Sequence, residues 1–100
     1  MRTLRFSPEA RRDVAEIRRY SRATWGREQA KRYMEALTAC VDHVADGTAV
    51  TTSFFAGGAG FRRSRCREHL IYFLETQTSV DVVRILHPRM NLGKQLKAED

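Results

Sequence analysis

Six arginines crowd the last forty residues of this chain: Arg62, Arg63, Arg65, Arg67, Arg84 and Arg89. No lysine lies between Lys31 and Lys94, so chemistry that depends on a lysine is not expected in this region. A guanidinium presents a rigid planar fork that donates two parallel hydrogen bonds to a phosphate or a carboxylate. The run Arg62 to Arg67 places four positive charges ahead of the first acid, Glu68. Neighbouring side chains alternate faces along a strand, so an outward pair from this run shares one surface. That pair either meets an anionic or planar polar partner, or simply guards a sheet edge against aggregation.

The other reactive residue types are sparse. His69 opens an apolar run and reads as a structural histidine, while His43 falls off the apolar stripe of its helix and reads as solvated. The three histidines and two cysteines have no metal-ligand spacing, so neither a metal site nor a cofactor is expected. Gly57, Gly58 and Gly60 do not open a helix or precede a Lys-Ser/Thr pair, which argues against a phosphate-binding loop. Cys40 falls in a helical pattern and Cys66 at a strand end, and both are expected to be reduced packing residues.

These groups need a scaffold, and its punctuation is clear. Thr3–Phe6 alternates, with Leu4 and Phe6 on one face, as in a short strand. Ser7-Pro8-Glu9 is a helix start: a hydroxyl for the orphan amides, a proline for the first turn and an acid at the positive end of the dipole. Ala10, Val14, Ile17, Ser21 and Trp25 follow at helical spacing, and Gly26 stops the helix. Ala30, Tyr33, Met34, Leu37, Val41 and Val44 make the stripe of a second helix from about Glu28 to Ala45. So short a joint makes the two helices an antiparallel hairpin. Thr48–Gly60 lacks periodicity and reads as a flexible connector. Strands are expected at Phe61–Cys66, His69–Glu75 and Val80–His87, the middle one central and apolar on both faces. Pro88 ends the last strand, and Met90, Leu92 and Leu96 suit a short terminal helix or an extended tail.

One hundred residues, 42% hydrophobic and 30% charged, fit one domain over residues 1–100 with one modest core. No run is long enough to span a membrane and no apolar leader follows the N-terminal arginines, so a cytoplasmic protein without membrane contact is expected. The net charge of +6 suits nucleic acid, an acidic protein, or a complex of both. The expected fold is α+β, in the order β-α-α-β-β-β, with the helical hairpin packed on one face of a small antiparallel-rich twisted sheet.

That order, with these joints, resembles the ParE branch of the RelE/ParE toxin superfamily of bacterial toxin–antitoxin modules. The resemblance is carried by Phe6-Ser7-Pro8-Glu9-Ala10, by Trp25-Gly26 with Gln29-Ala30 and Tyr33, by His69-Leu70-Ile71-Tyr72-Phe73, and by the run Val82 to Met90 around Arg84, His87-Pro88 and Arg89. It implies a toxin that arrests growth by binding DNA gyrase and blocking replication. It also implies a cognate ParD-like antitoxin whose C-terminal segment wraps the toxin, in a hetero-oligomer that binds operator DNA through the antitoxin. RelE-type relatives share the fold but cleave mRNA on the ribosome.

The resemblance distributes roles as follows. Arg62, Arg63, Arg65, Arg84, Arg89 and Lys94 are expected to contact the target or the antitoxin. Trp25 and Tyr33, otherwise core of the hairpin, and Leu70 and Tyr72 on the sheet are expected to form the antitoxin groove. No catalytic residue is expected of a binding inhibitor. The alternative is a ribosome-dependent endoribonuclease, in which Arg65, Arg84 and His87 would supply the cations and the acid/base group that cleavage through a 2′-hydroxyl requires. A third reading is a toxin fold that has lost toxicity and acts only in autoregulation with its antitoxin.

Overall fold

The computed structural model describes residues 2–89. The tail beyond Arg89, with the expectations placed on Lys94 and on Met90, Leu92 and Leu96, lies outside the described residues. The elements are β1 (Thr3–Phe6), α1 (Pro8–Trp25), α2 (Arg27–Asp46), β2 (Thr52–Ala56), β3 (Ala59–Cys66), β4 (His69–Glu75) and β5 (Ser79–Leu86). The strands form one sheet in the order β1-β5-β4-β3-β2. β1 runs parallel to β5, and the other three pairings are antiparallel. This is the α+β arrangement anticipated, with one strand more than expected.

The extra strand is β2, inside the segment read as a connector. Gly57 and Gly58 both have positive φ (58° and 77°) and join Ala56 to its cross-strand partner Ala59. That two-residue loop with left-handed backbone matches the right-handed twist of a hairpin, and glycine is the residue that adopts it without strain. The Gly-Gly pair is therefore a strand-reversing turn, and the order becomes β-α-α-β-β-β-β.

Helix α1 starts as its sequence dictates. Ser7 Oγ accepts from the Ala10 amide at 2.9 Å, and the same hydroxyl donates to the Val83 carbonyl on β5 at 2.8 Å. The cap thus ties the helix start to the sheet. Gly26 is the whole joint between α1 and α2, with φ 87° and ψ 169°. At the far end Gly47 closes α2 in the left-handed region, and the Arg2 side chain donates to the Val44 and Ala45 carbonyls. These bonds satisfy carbonyls that the helix end leaves without partners.

The core lies between the hairpin and one sheet face: Ala10 and Ile17 of α1, Leu37, Val41 and Val44 of α2, and Cys66, Ile71, Phe73, Val80, Val82 and Ile85 of the sheet. A second cluster, Phe61, Tyr72 and Leu86 with Phe54, Leu70 and Val83, occupies the opposite face. A register shift between β4 and β5 at Tyr72/Phe73 leaves Val83 as the extra residue, a β-bulge.

Cys40 and Cys66 are not reduced packing residues. They form a disulfide between α2 and β3, with Cα atoms 6.0 Å apart, inside the range a disulfide spans. The partners come together only because the apolar stripe of α2 lies across β3, which no spacing along the chain reveals.

Candidate functional site

The sheet arginines do not form the free platform that their spacing suggests. Most of them find partners within the chain. Arg62, on the helix-side face of β3, donates to Thr51 and Ser53 and sits 3.4 Å from the Glu75 carboxylate. Glu75 also holds Arg2 at 2.6 Å, so one carboxylate serves two guanidiniums. Arg63 lies 4.9 Å above the Phe54 ring, a cation–π contact on the opposite face. Arg65 points to that same face, opposite Leu70, and donates to the Arg67 carbonyl at 3.1 Å. Arg67 itself adopts φ 53° in the β3–β4 turn.

Arg84 is held most firmly. Its Nε and Nη2 donate to the two oxygens of Asp13 on α1, at 2.8 and 3.0 Å, and both side chains are largely buried. The Asp13 carboxylate also accepts from the Ile85 amide at 2.9 Å. β1 ends opposite Val82, so Ile85 lies on the edge of β5 past the last β1 pairing. Asp13 stands in for the missing strand there. No motif flagged Asp13; its signal was an acid on the sheet-facing side of α1, one residue before Val14.

The aromatic and imidazole groups gather at the end of the molecule where the hairpin joint meets the turn before β4. Five rings follow one another: Tyr20 to Trp25 at 6.0 Å, Trp25 to Tyr33 at 5.7 Å, Tyr33 to His69 at 5.6 Å, and His69 to His87 at 6.0 Å. Tyr20 and Trp25 are 57% and 42% exposed, large aromatic surfaces that folding alone does not bury. The Tyr33 hydroxyl lies 2.5 Å from His69 Nδ1 and accepts from the Glu68 amide. His87 Nδ1 accepts from the Arg89 amide at 3.2 Å, which puts the proton of the neutral ring on Nε2.

Burial raises the Tyr33 pKa, so its hydroxyl stays protonated and can donate to His69. Burial, with the neighbouring His87, pushes the His69 pKa below its ordinary value, so the ring that faces Tyr33 stays neutral. Along this row runs a groove of about 560 Å³ between α1 and the ends of β4 and β5, lined among others by Asp13, Tyr20, Trp25, His69, His87 and Arg89. A second groove of about 400 Å³ lies beyond it, between Trp25, Gln29, Arg32, Tyr33, Arg67 and Glu68.

The fold therefore brings Trp25 and Tyr33 together but sets them apart from Leu70 and Tyr72. Those two lie on the other sheet face, where Tyr72 is only 2% exposed and packs edgewise on Phe54 at 5.3 Å. Likewise Arg65 and His87 point to opposite faces. Arg65 shares its face with Leu70, whereas His87 lies alongside His69, which contacts Tyr33 on the helix side. Among the described residues no group of His, Cys, Asp or Glu is placed to hold a metal ion. Among them, too, no helix is long and apolar enough to cross a membrane.

Comparison with known proteins gives this scaffold its relatives. The family model described as the ParE toxin of the type II toxin–antitoxin system parDE matches residues 4–92. Toxin ParE1 of Caulobacter vibrioides is 31% identical over 96 residues, which is 96% of this chain and 99% of that protein. Toxin ParE of Escherichia coli is 33% identical over 92 residues, covering 91% and 89% of the two chains. Among solved structures, a chromosomal ParDE toxin–antitoxin system from P. aeruginosa superposes with a TM-score of 0.70 at 20% identity, covering 87% of this chain and 96% of that one. A YafQ mutant from E. coli superposes with a TM-score of 0.62 at 11% identity, over 89% of this chain and 96% of its own, a likeness of fold alone. The chain, whose hairpin-on-sheet architecture and strand-end motifs are those expected of the RelE/ParE superfamily, belongs to the ParE toxins of type II toxin–antitoxin systems.

Proposed function

We infer that this toxin stops growth by docking on DNA gyrase rather than by breaking bonds itself, and that a ParD-like antitoxin neutralises it. The observation that carries this reading is the dispersal of the three groups a nuclease would have to converge on one phosphate. Arg84 is committed to Asp13, while Arg65 and His87 lie on opposite faces of the sheet. Cleavage through a 2′-hydroxyl needs a base, an acid and cations within hydrogen-bond reach of one reacting centre.

The groove beside Trp25 and Tyr33 suits the antitoxin. Exposed aromatics in a concave site are the anchors that dominate protein–protein affinity. The cations Arg63, Arg65 and Arg89 then serve as contacts to the acidic antitoxin or to the target. Leu70, beside Tyr72, offers a smaller apolar contact on the second face.

One observation favours a second reading, an endoribonuclease: His87 and His69 edge an open groove that also holds Arg89, and the Tyr33 hydroxyl backs His69 from outside it. Induction without the antitoxin separates the two. Gyrase inhibition gives filamentation, an SOS response and loss of supercoiling by purified gyrase, with toxicity intact in His87→Ala. Cut mRNA on ribosomes, abolished by His87→Ala and with supercoiling untouched, would overturn the docking reading.

A further inference from the structure

A cluster of positive charge without side-chain partners among the described residues lies away from the sheet. Between α1 and α2 runs a separate groove of about 490 Å³, lined by Arg18 and Arg22 of α1, by Arg27 and Lys31 of α2, and floored by Ala30 and Met34. All four cations are exposed, and among the described residues none has an ion pair or a side-chain hydrogen bond. The single carboxylate on the lining, Glu35, likewise makes no ion pair among the described residues.

Arg18 and Arg22 are spaced i,i+4, and so are Arg27 and Lys31. Like charges at that spacing repel and weaken each helix. The antiparallel hairpin then brings the two like-charged rows side by side, with Gly26 as the only residue between the helices. Glu35, four residues beyond Lys31 on the same lining, offsets part of one row; an anion spanning both rows would offset the rest.

We propose that this groove binds the phosphate backbone of DNA, through Arg18, Arg22, Arg27 and Lys31. Successive cations in each row stand about 6 Å apart along the axis, four residues at roughly 1.5 Å each. Packed helices lie about 8–10 Å apart, so the two rows form a compact square of charge. Three of the four are arginines, whose forks suit phosphate oxygens. A protein partner fits less well. The floor holds one buried alanine and one half-buried methionine and no aromatic anchor, whereas protein interfaces draw their energy from large buried anchors. The exposed aromatics Tyr20 and Trp25 line other grooves. Phosphate binding needs no such anchor, because release of counterions drives it.

The test is fluorescence anisotropy of the full chain against a labelled random-sequence duplex over a series of salt concentrations, with no gyrase present. A failure of the gyrase reading therefore leaves this result unaffected. Each phosphate contact contributes about 0.9 to the slope of log affinity against log salt. Replacing the four with glutamine (Arg18→Gln, Arg22→Gln, Arg27→Gln, Lys31→Gln) is expected to reduce that slope by about 3 to 4. Glutamine is a good helix former and all four sites are exposed, so the fold survives, which circular dichroism verifies. A charge-matched control (Arg63→Gln, Arg65→Gln, Arg67→Gln, Arg89→Gln) is expected to keep most of the slope. Equal losses in both variants would mean that net charge alone attracts DNA, and would overturn the proposal. So would a hairpin variant that keeps its duplex affinity but no longer binds a labelled acidic amphipathic peptide, since the groove would then be a protein site.

Discussion

Asp13 and Arg84, 71 residues apart in sequence, form a two-point pair in which one carboxylate also caps the open edge of β5 through the Ile85 amide. The pair joins the first helix to the last strand at the point where β1 runs out. Nearly all of both side chains is out of solvent, so neither charge can fall back on water if its partner is removed.

Asp13→Ala strands the Arg84 guanidinium and leaves the Ile85 amide unpaired. Breaking a buried pair by removing one partner costs about 3–5 kcal/mol, and the remaining exposure here puts the expected loss at the lower end. Asp13→Asn keeps an acceptor for the amide and should lose less. Urea unfolding of both variants and of the double variant Asp13→Ala/Arg84→Ala checks this. A double variant less stable than Asp13→Ala alone by the full cost of Arg84→Ala would show that the two residues are not coupled.

The same pair marks the limit of what the sequence discloses. The hairpin was legible because its signals are local: Ser7-Pro8 at the start, an apolar stripe on each helix, Gly26 at the joint. β4 and β5 were legible as apolar runs ended by turns. β2 was not, since it is an edge strand whose Phe55 is 79% exposed, so its residues do not alternate between core and solvent. The reversing pair Gly57-Gly58 was the signal that pointed to it. Arginines read as a platform because a run such as Arg62 to Arg67 is visible, while the acids that engage them, Glu75 and Asp13, belong to other elements. For the same reason Cys40 gave no hint of Cys66. The row from Tyr20 to His87 draws on four segments, of which only those of Trp25 and Tyr33 are neighbours along the chain.

Gly26 takes φ 87° and ψ 169°, a region essentially restricted to glycine, yet a Cβ there would meet nothing within 4 Å. Gly26→Ala is therefore expected to cost about 1–3 kcal/mol through backbone strain alone. Gly47 differs: its φ 83° and ψ 9° fall in the left-handed helical region, which asparagine tolerates. Asparagine should thus be accepted at position 47 and rejected at position 26. Thermal unfolding of the two asparagine variants decides it, and equal losses would refute the distinction.

His69 makes the fold sensitive to acid. Its pKa is depressed by burial and by His87, against smaller opposing effects of Glu68 and Asp13. The unfolded chain thus binds a proton more readily than the folded one. The stabilising contribution is complete above the ordinary value of about 6.5 and is lost as pH falls through the lowered folded value. Urea midpoints should fall from neutral to mildly acidic pH, and His69→Gln should flatten that part of the profile. An imidazole resonance of His69 titrating above the ordinary value would contradict the assignment.

The Cys40–Cys66 bridge encloses the last two turns of α2, the whole β2 strand and β3, a separation of 26 residues. Closing a loop of that size restricts the unfolded chain, and bridges of this kind typically contribute about 2–4 kcal/mol. Reductant should therefore lower the urea midpoint of the native chain. Cys40→Ser should start from the lowered midpoint and not respond to reductant, because its remaining thiol has no partner. Alkylation before and after reduction counts the free thiols directly. Two thiols freely alkylated in the oxidised, folded chain, together with a midpoint indifferent to reductant, would show that α2 and β3 are held by packing alone.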